Sequence, residues 1–164
     1  SAIILRYPHD RSFITRRLFY LIIPQEPGLK MSNTHDTQYS AFHLRLLENL
    51  VALIKLQPPF NDEFPAEEDA SFVENITRLT EQHGDESFLA DGQQLICKIV
   101  ASYPHLMPVL PRDLLWFFGG DCLHYMPDEE IQKFQQLDER RQEAIESNTA
   151  FNYEDERARI FGLH

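Results

Sequence analysis

Basic residues are the scarce component of this chain: 15 Lys and Arg stand against 26 Asp and Glu, giving a net charge of -11 over 164 residues. That balance repels phosphate backbones and anionic lipid headgroups unless a local basic patch overrides it, so nucleic acid and membrane surfaces are expected not to be partners. Long apolar runs are missing too, and none approaches the ~20 residues that a bilayer-spanning helix needs. Cysteine occurs only at Cys97 and Cys122, in apolar surroundings and without C-x-x-C or Cys/His ligand spacing. The expectation is two buried reduced thiols and no disulfide framework, in a soluble cytoplasmic protein.

Catalytic signatures are equally sparse. There is no His-Glu-x-x-His, no P-loop and no Gly-x-Gly-x-x-Gly, and no glutamate begins the Glu-x-x-His step of di-iron bundles. Carboxylates do cluster, at Glu67-Glu68-Asp69, Asp128-Glu129-Glu130 and Glu154-Asp155-Glu156. Each run sits where a helix should start, and there it serves as a solvated partner of the helix dipole. No metal ligand set and no cofactor are expected.

What is present is material for one domain: 43% hydrophobic and 25% charged residues, without internal repeats. The first thirty residues read differently from the rest. They hold five basic and two acidic residues, a balance of +3 that leaves -14 for the remainder. With Met31-Ser32-Asn33-Thr34 resembling a translation start, residues 1–30 are expected to be a basic extension and residues 31–164 the domain. Thr15-Arg16-Arg17-Leu18-Phe19-Tyr20-Leu21 resembles a twin-arginine export signal, but the apolar segment ends at Pro24 and no small-residue cleavage site follows. Ordered strands or a short helix at Ile3-Ile4-Leu5 and Leu18 to Ile23 are a third reading.

Helical periodicity dominates from there. Asp36 is a good N-cap for a helix over 37–57 that Pro58-Pro59 ends, with Tyr39, Phe42, Leu46, Leu50 and Leu53 on one face, widened by Leu47, Val51 and Ile54; His43 and Arg45 are expected on the wet side. Phe60 and Phe64 are expected to plug the loop that follows. Pro65 opens a second helix ending at Gly84, and a third runs over 87–102. Pro104, Pro108 and Pro111 punctuate a connector near 104–111. A fourth helix should span 111–126, a fifth, charged one with a narrow stripe (Ile131, Phe134, Leu137, Arg141, Ala144, Ile145) should end near Asn148, and a short one should cover 152–161. The sum is an all-α, single-domain bundle of five to six helices.

The fourth of these helices holds the candidate site. Leu114 to Met126 contains the only Trp and the only Gly-Gly pair. Trp116, Phe117, Gly119, Gly120, Asp121, Cys122, His124 and Tyr125 are its candidate interaction or pocket residues. Trp116, Phe117 and Tyr125 are the residue types that anchor protein-protein interfaces, although core packing competes for the same side chains. On one continuous helix Cys122 and His124 point about 200° apart, which keeps them out of a shared ligand sphere unless the glycines break the helix. The narrow stripe of the fifth helix is a further interface candidate, with charged flanks suited to setting register in a homodimer.

The run Asp113-Leu114-Leu115-Trp116-Phe117-Phe118-Gly119-Gly120-Asp121-Cys122-Leu123-His124-Tyr125-Met126-Pro127-Asp128-Glu129-Glu130-Ile131 resembles a small uncharacterised family of gammaproteobacterial proteins, mainly from pseudomonads. That resemblance implies a helical bacterial cytosolic protein and carries no activity and no site residues. Two functions follow as expectations. One is a non-enzymatic protein-binding or regulatory protein, a homodimer being one form of it. The alternative is a helical protein with a small-molecule or metal site beside Gly119-Gly120, using Asp121, Cys122 or His124.

Overall fold

The computed structural model describes residues 30–163, with side chains from Thr34 onward. The described chain is all-helical, without a strand: six α-helices and two 3-10 segments. The expected basic extension, the twin-arginine reading and the strand or helix reading at Ile3 to Leu5 and Leu18 to Ile23 lie outside the described residues, apart from Lys30.

Helix α1, Lys30–Lys55, starts earlier than the Asp36 cap implied. Asp36 sits inside it and pairs with Arg141, whose guanidinium lies 4.1 Å from the Tyr39 ring centre. The buried face of α1 is Tyr39, His43, Leu47, Leu50, Val51 and Ile54, so His43 lies in the core and not on the wet side. Leu53, expected to be buried, is 40% exposed. Steps of four, four, three and four from Tyr39 through His43, Leu47 and Leu50 to Ile54 trace one side of a helix.

The first turn of α2, Glu67–Glu81, is Glu67-Glu68-Asp69, at the positive end of the helix dipole, and α2 buries Phe72, Ile76 and Leu79 against α1 and α3. Helix α3, Phe88–Ser102, buries Phe88, Ile96 and Ile99. A 3-10 turn at Pro104–Leu106 then leads through the proline-rich connector to α4, Arg112–Phe118. A second 3-10 segment, Gly120–Tyr125, leads to α5, Asp128–Glu146, and to α6, Tyr153–Phe161. Asn152 caps α6, its side-chain oxygen accepting from the Asp155 N–H at 3.0 Å, and Gly162 ends it at φ +68°.

Helix α1 contacts α2, α4, α5 and α6, which makes it the axis of the bundle. The stripe of α5 that suggested a dimer seam is used inside the chain: Phe134, Leu137 and Ala144 are buried, with Phe134 stacked on Trp116 and set against Phe161.

Candidate interaction surface

The stretch singled out in the sequence is two elements and not one helix. Leu115 accepts the Gly119 N–H at 2.9 Å, and Gly119 then takes φ +65° and ψ -146°, outside the helical region, so the chain leaves α4 and re-enters a 3-10 turn. Asp113 through Gly119 are all buried. Trp116 donates its Nε1–H to Asp138 Oδ2 at 2.9 Å, and its ring lies 5.8 Å from that of Phe134. Phe117 stacks on His43 with ring centres 4.5 Å apart and planes 17° apart, while the His43 Nδ1–H donates to the Tyr39 carbonyl at 2.7 Å. Trp116 and Phe117 are therefore core side chains in this chain, and neither presents itself as a surface anchor.

Beyond the break, Gly120 at φ +78° lies so close to α3 that an added Cβ would fall 1.6 Å from the Gln93 amide. This approach brings Cys122 to α3, where it forms a disulfide with Cys97 across a Cα–Cα distance of 5.7 Å. The expectation of two reduced thiols is corrected here, and the cause is local. The glycine break re-aims Cys122, which a continuous helix would have pointed elsewhere. A thiolate ligand at Cys122 is thereby removed from the metal-site alternative. Among the described residues no three His, Cys, Asp or Glu side chains converge as a cation site. Asp121, His124 and Tyr125 face solvent, Tyr125 at 58% exposure.

A second locus was missed in the sequence, at the end of the bundle where α1 turns into α2. Leu56 is 70% exposed and Phe64 is 88% exposed, joining Leu53. Phe60 does plug the loop, packing on Phe72 and Tyr103 with ring centres 5.5 and 4.9 Å away, but Phe64 does not. The connector that carries them is braced. Asn61 donates to the Leu56 carbonyl at 3.2 Å, and the His105 Nε2–H donates to the Pro58 carbonyl at 2.7 Å. Prolines 58, 59 and 65 fix φ along it. Its charges are one-sided, with Asp62, Glu63, Glu67, Glu68 and Asp69 against Lys55 alone over residues 53–69. Glu68 pairs with Lys98 at 3.1 Å and Asp69 accepts from the Tyr103 hydroxyl at 2.8 Å. Burial, that bond and the charges of Asp69 and Glu68 push the Tyr103 hydroxyl well above the ordinary tyrosine range. A signal for this locus did exist, since Leu56 and Phe64 flank a Pro-Pro pair and an Asp-Glu pair, where no regular helix face can bury them.

Opposite this end, a shallow cleft of about 280 Å³ lies between the last turns of α5 and the start of α6, with Phe151 in its wall. Of the charged groups that line it, Arg140 meets Glu156 at 3.1 Å. Beside it, Asp113 holds Arg157 through two bonds of 2.6 and 2.7 Å, and this carboxylate, against the opposing effect of burial, raises the Arg157 guanidinium above its usual range.

A family model described as PA2817-like matches residues 35–163, the whole of the described bundle from His35 on. The chain belongs to the PA2817-like family. The family takes its name from a Pseudomonas locus, which agrees with the pseudomonad resemblance carried by residues 113–131. No curated protein and no solved structure matches the chain. Among the described residues of this PA2817-like chain, no helix is long and apolar enough to cross a membrane.

Proposed function

We propose that this protein is a non-enzymatic, regulatory protein that works by binding another protein, and that its contact surface is the α1–α2 end of the bundle. The observation that carries this reading is Phe64, held 88% exposed on the same braced connector as exposed Leu56. Burying a side chain of that size contributes roughly 1.5–3 kcal/mol, and the cluster of 24 buried hydrophobic residues among the described residues leaves this one outside. Exposed apolar groups rimmed by charge are what interfaces use. Tyr125, from the stretch first singled out in the sequence, is a secondary contact candidate on another face. The small-molecule or metal alternative beside Gly119-Gly120 is disfavoured, because the disulfide occupies Cys122 and the Gln93 side chain fills the space over Gly120.

The test is to isolate the tagged full chain from its source cells, in parent and Phe64→Ser forms, and to measure the mass of each species in solution. A stoichiometric hetero-complex formed by the parent and lost in Phe64→Ser supports the reading. A parent chain that runs alone, or a complex indifferent to Phe64→Ser, overturns it.

A further inference from the structure

Resting on the protein-binding reading above, we infer that the occupant of the α1–α2 tip is a basic amphipathic helix of a partner protein. Its apolar side chains would pack on Leu53, Leu56 and Phe64, and its flanking Lys and Arg side chains would meet Asp62, Glu63 and Glu67.

The charge pattern selects this class. Of the five carboxylates at the tip, Glu68 is met by Lys98 and Asp69 by Tyr103, whereas Asp62, Glu63 and Glu67 form no ion pair among the described residues. All three are exposed, so cationic side chains can reach them without desolvating a buried charge. A second copy of this chain fits poorly. An isologous contact through the tip would bring two copies of the same acidic rim together, with Lys55 alone as a cation over residues 53–69, and that concentration of like charge opposes association. Anionic lipid and nucleic acid are repelled by the same carboxylates.

The fold selects the form of the partner. Strand addition needs an open sheet edge, and the described chain has no strand. Leu53, in the last turn of α1, and Leu56, in the turn just past it, are both exposed and lie three residues apart, the Leu56 N–H donating to the Leu53 carbonyl at 3.1 Å, with Phe64 at the same end of the bundle ahead of α2. A partner helix can set anchors at i, i+3, i+4 and i+7 against apolar groups spaced in this way. The braced connector limits the ordering entropy lost when it docks.

The probe is a fluorescein-labelled 14-residue peptide of Leu and Lys with Leu at helical spacing, titrated into the full chain and followed by anisotropy. A Ser/Lys peptide of the same charge and a Leu/Glu peptide of the same apolar face serve as comparisons. Expected results are binding of Leu/Lys at least tenfold tighter than of either comparison, and weakening as salt rises. Leu56→Ser with Phe64→Ser should cost at least tenfold, while Tyr125→Ser changes affinity less than twofold. Both altered surfaces are exposed, and an unchanged thermal unfolding curve confirms folding. Asp62→Asn with Glu63→Gln and Glu67→Gln should flatten the salt dependence and leave the preference for Leu over Ser.

Equal binding by the Leu56→Ser, Phe64→Ser variant overturns the proposal, because the peptide is then held by charge elsewhere. So does equal binding of Leu/Glu, or self-association of the parent that Phe64→Ser relieves, which would make a second copy the occupant. A Phe64-dependent complex in source cells with no Leu/Lys binding overturns the basic-helix assignment and leaves the protein-binding reading standing. Tip-dependent Leu/Lys binding without such a complex supports the surface chemistry and removes the functional reading.

Discussion

A single missing methyl group decides how closely α3 and α4 approach. Gly92 lies under the Phe118 ring, and a Cβ there would fall 2.0 Å from a carbon of that ring, which is buried and packed against Phe88 and Phe117. Alanine in a helix interior gains about 1 kcal/mol over glycine. The overlap with a buried aromatic ring outweighs that gain, so Gly92→Ala should lower stability by a net ~2 kcal/mol, read as a reduced urea midpoint with an unchanged slope. Tyr103 supports a prediction in pH. Its folded pKa is raised above its unfolded value, so its contribution is fully present below pH ~10 and is lost as pH rises beyond that, when the unfolded chain releases the proton first. Absorbance titration of tyrosinate should show a transition above the ordinary tyrosine range, and Asp69→Asn should bring that transition down. His43 shows where single residues mislead. A histidine reads as polar, yet its place in the 39-43-47-50-54 sequence of steps puts it against Phe117, and the carbonyl of Tyr39 satisfies its ring nitrogen locally.

Among elements, the sharpest coupling is the clamp between α4 and α6. Asp113 is buried and faces an Arg157 side chain that is 24% exposed, joined by two parallel bonds. Asp113→Asn leaves a half-buried guanidinium without its carboxylate and should cost about 3 kcal/mol, while Asp113→Leu with Arg157→Met should cost clearly less than that. A double-mutant cycle in urea measures the difference. Helix positions were largely legible because apolar periodicity and end signals agreed: the starts of α2 and α5 follow acidic first turns and α6 has both its Asn cap and its glycine stop. What was not legible was the division of 111–126. A Gly-Gly pair allows a kink, a break or a close approach, and only the packing of Gly120 on Gln93 selects the break. The exposure of Phe64 was hidden for a related reason, since which loop aromatic plugs the core depends on the cavity that Phe72 and Tyr103 leave, and Phe60 fills it.

For the molecule as a whole, the disulfide closes a loop of 25 residues between α3 and the turn before α5. Protein unfolded without reductant should therefore show no titratable thiol, and two after reduction. In the chain-entropy account a loop of this length contributes about 3.5 kcal/mol, so the melting temperature should drop measurably on adding reductant. The acidic surface is unevenly used: ion pairs such as Arg141 with Asp36, Arg45 with Glu154 and Arg140 with Glu156 tie α1, α5 and α6 together, while the α1–α2 end keeps Asp62, Glu63 and Glu67 open to solvent. Raising salt should therefore alter binding at that end far more than it alters folding.

Helix α6 closes the bundle on α1: Tyr153 packs on Tyr39, Phe42 and His43, and His35 reaches the Thr149 carbonyl across 114 residues of sequence. For a chain emerging from a ribosome at ~5–20 residues per second, α1 must wait on the order of 10 s for α6. Through that interval Phe117 can cover Tyr39 and His43 from one side only, and a nascent chain stopped before Tyr153 would leave Phe42 and the other side of those rings as a surface for chaperones to hold.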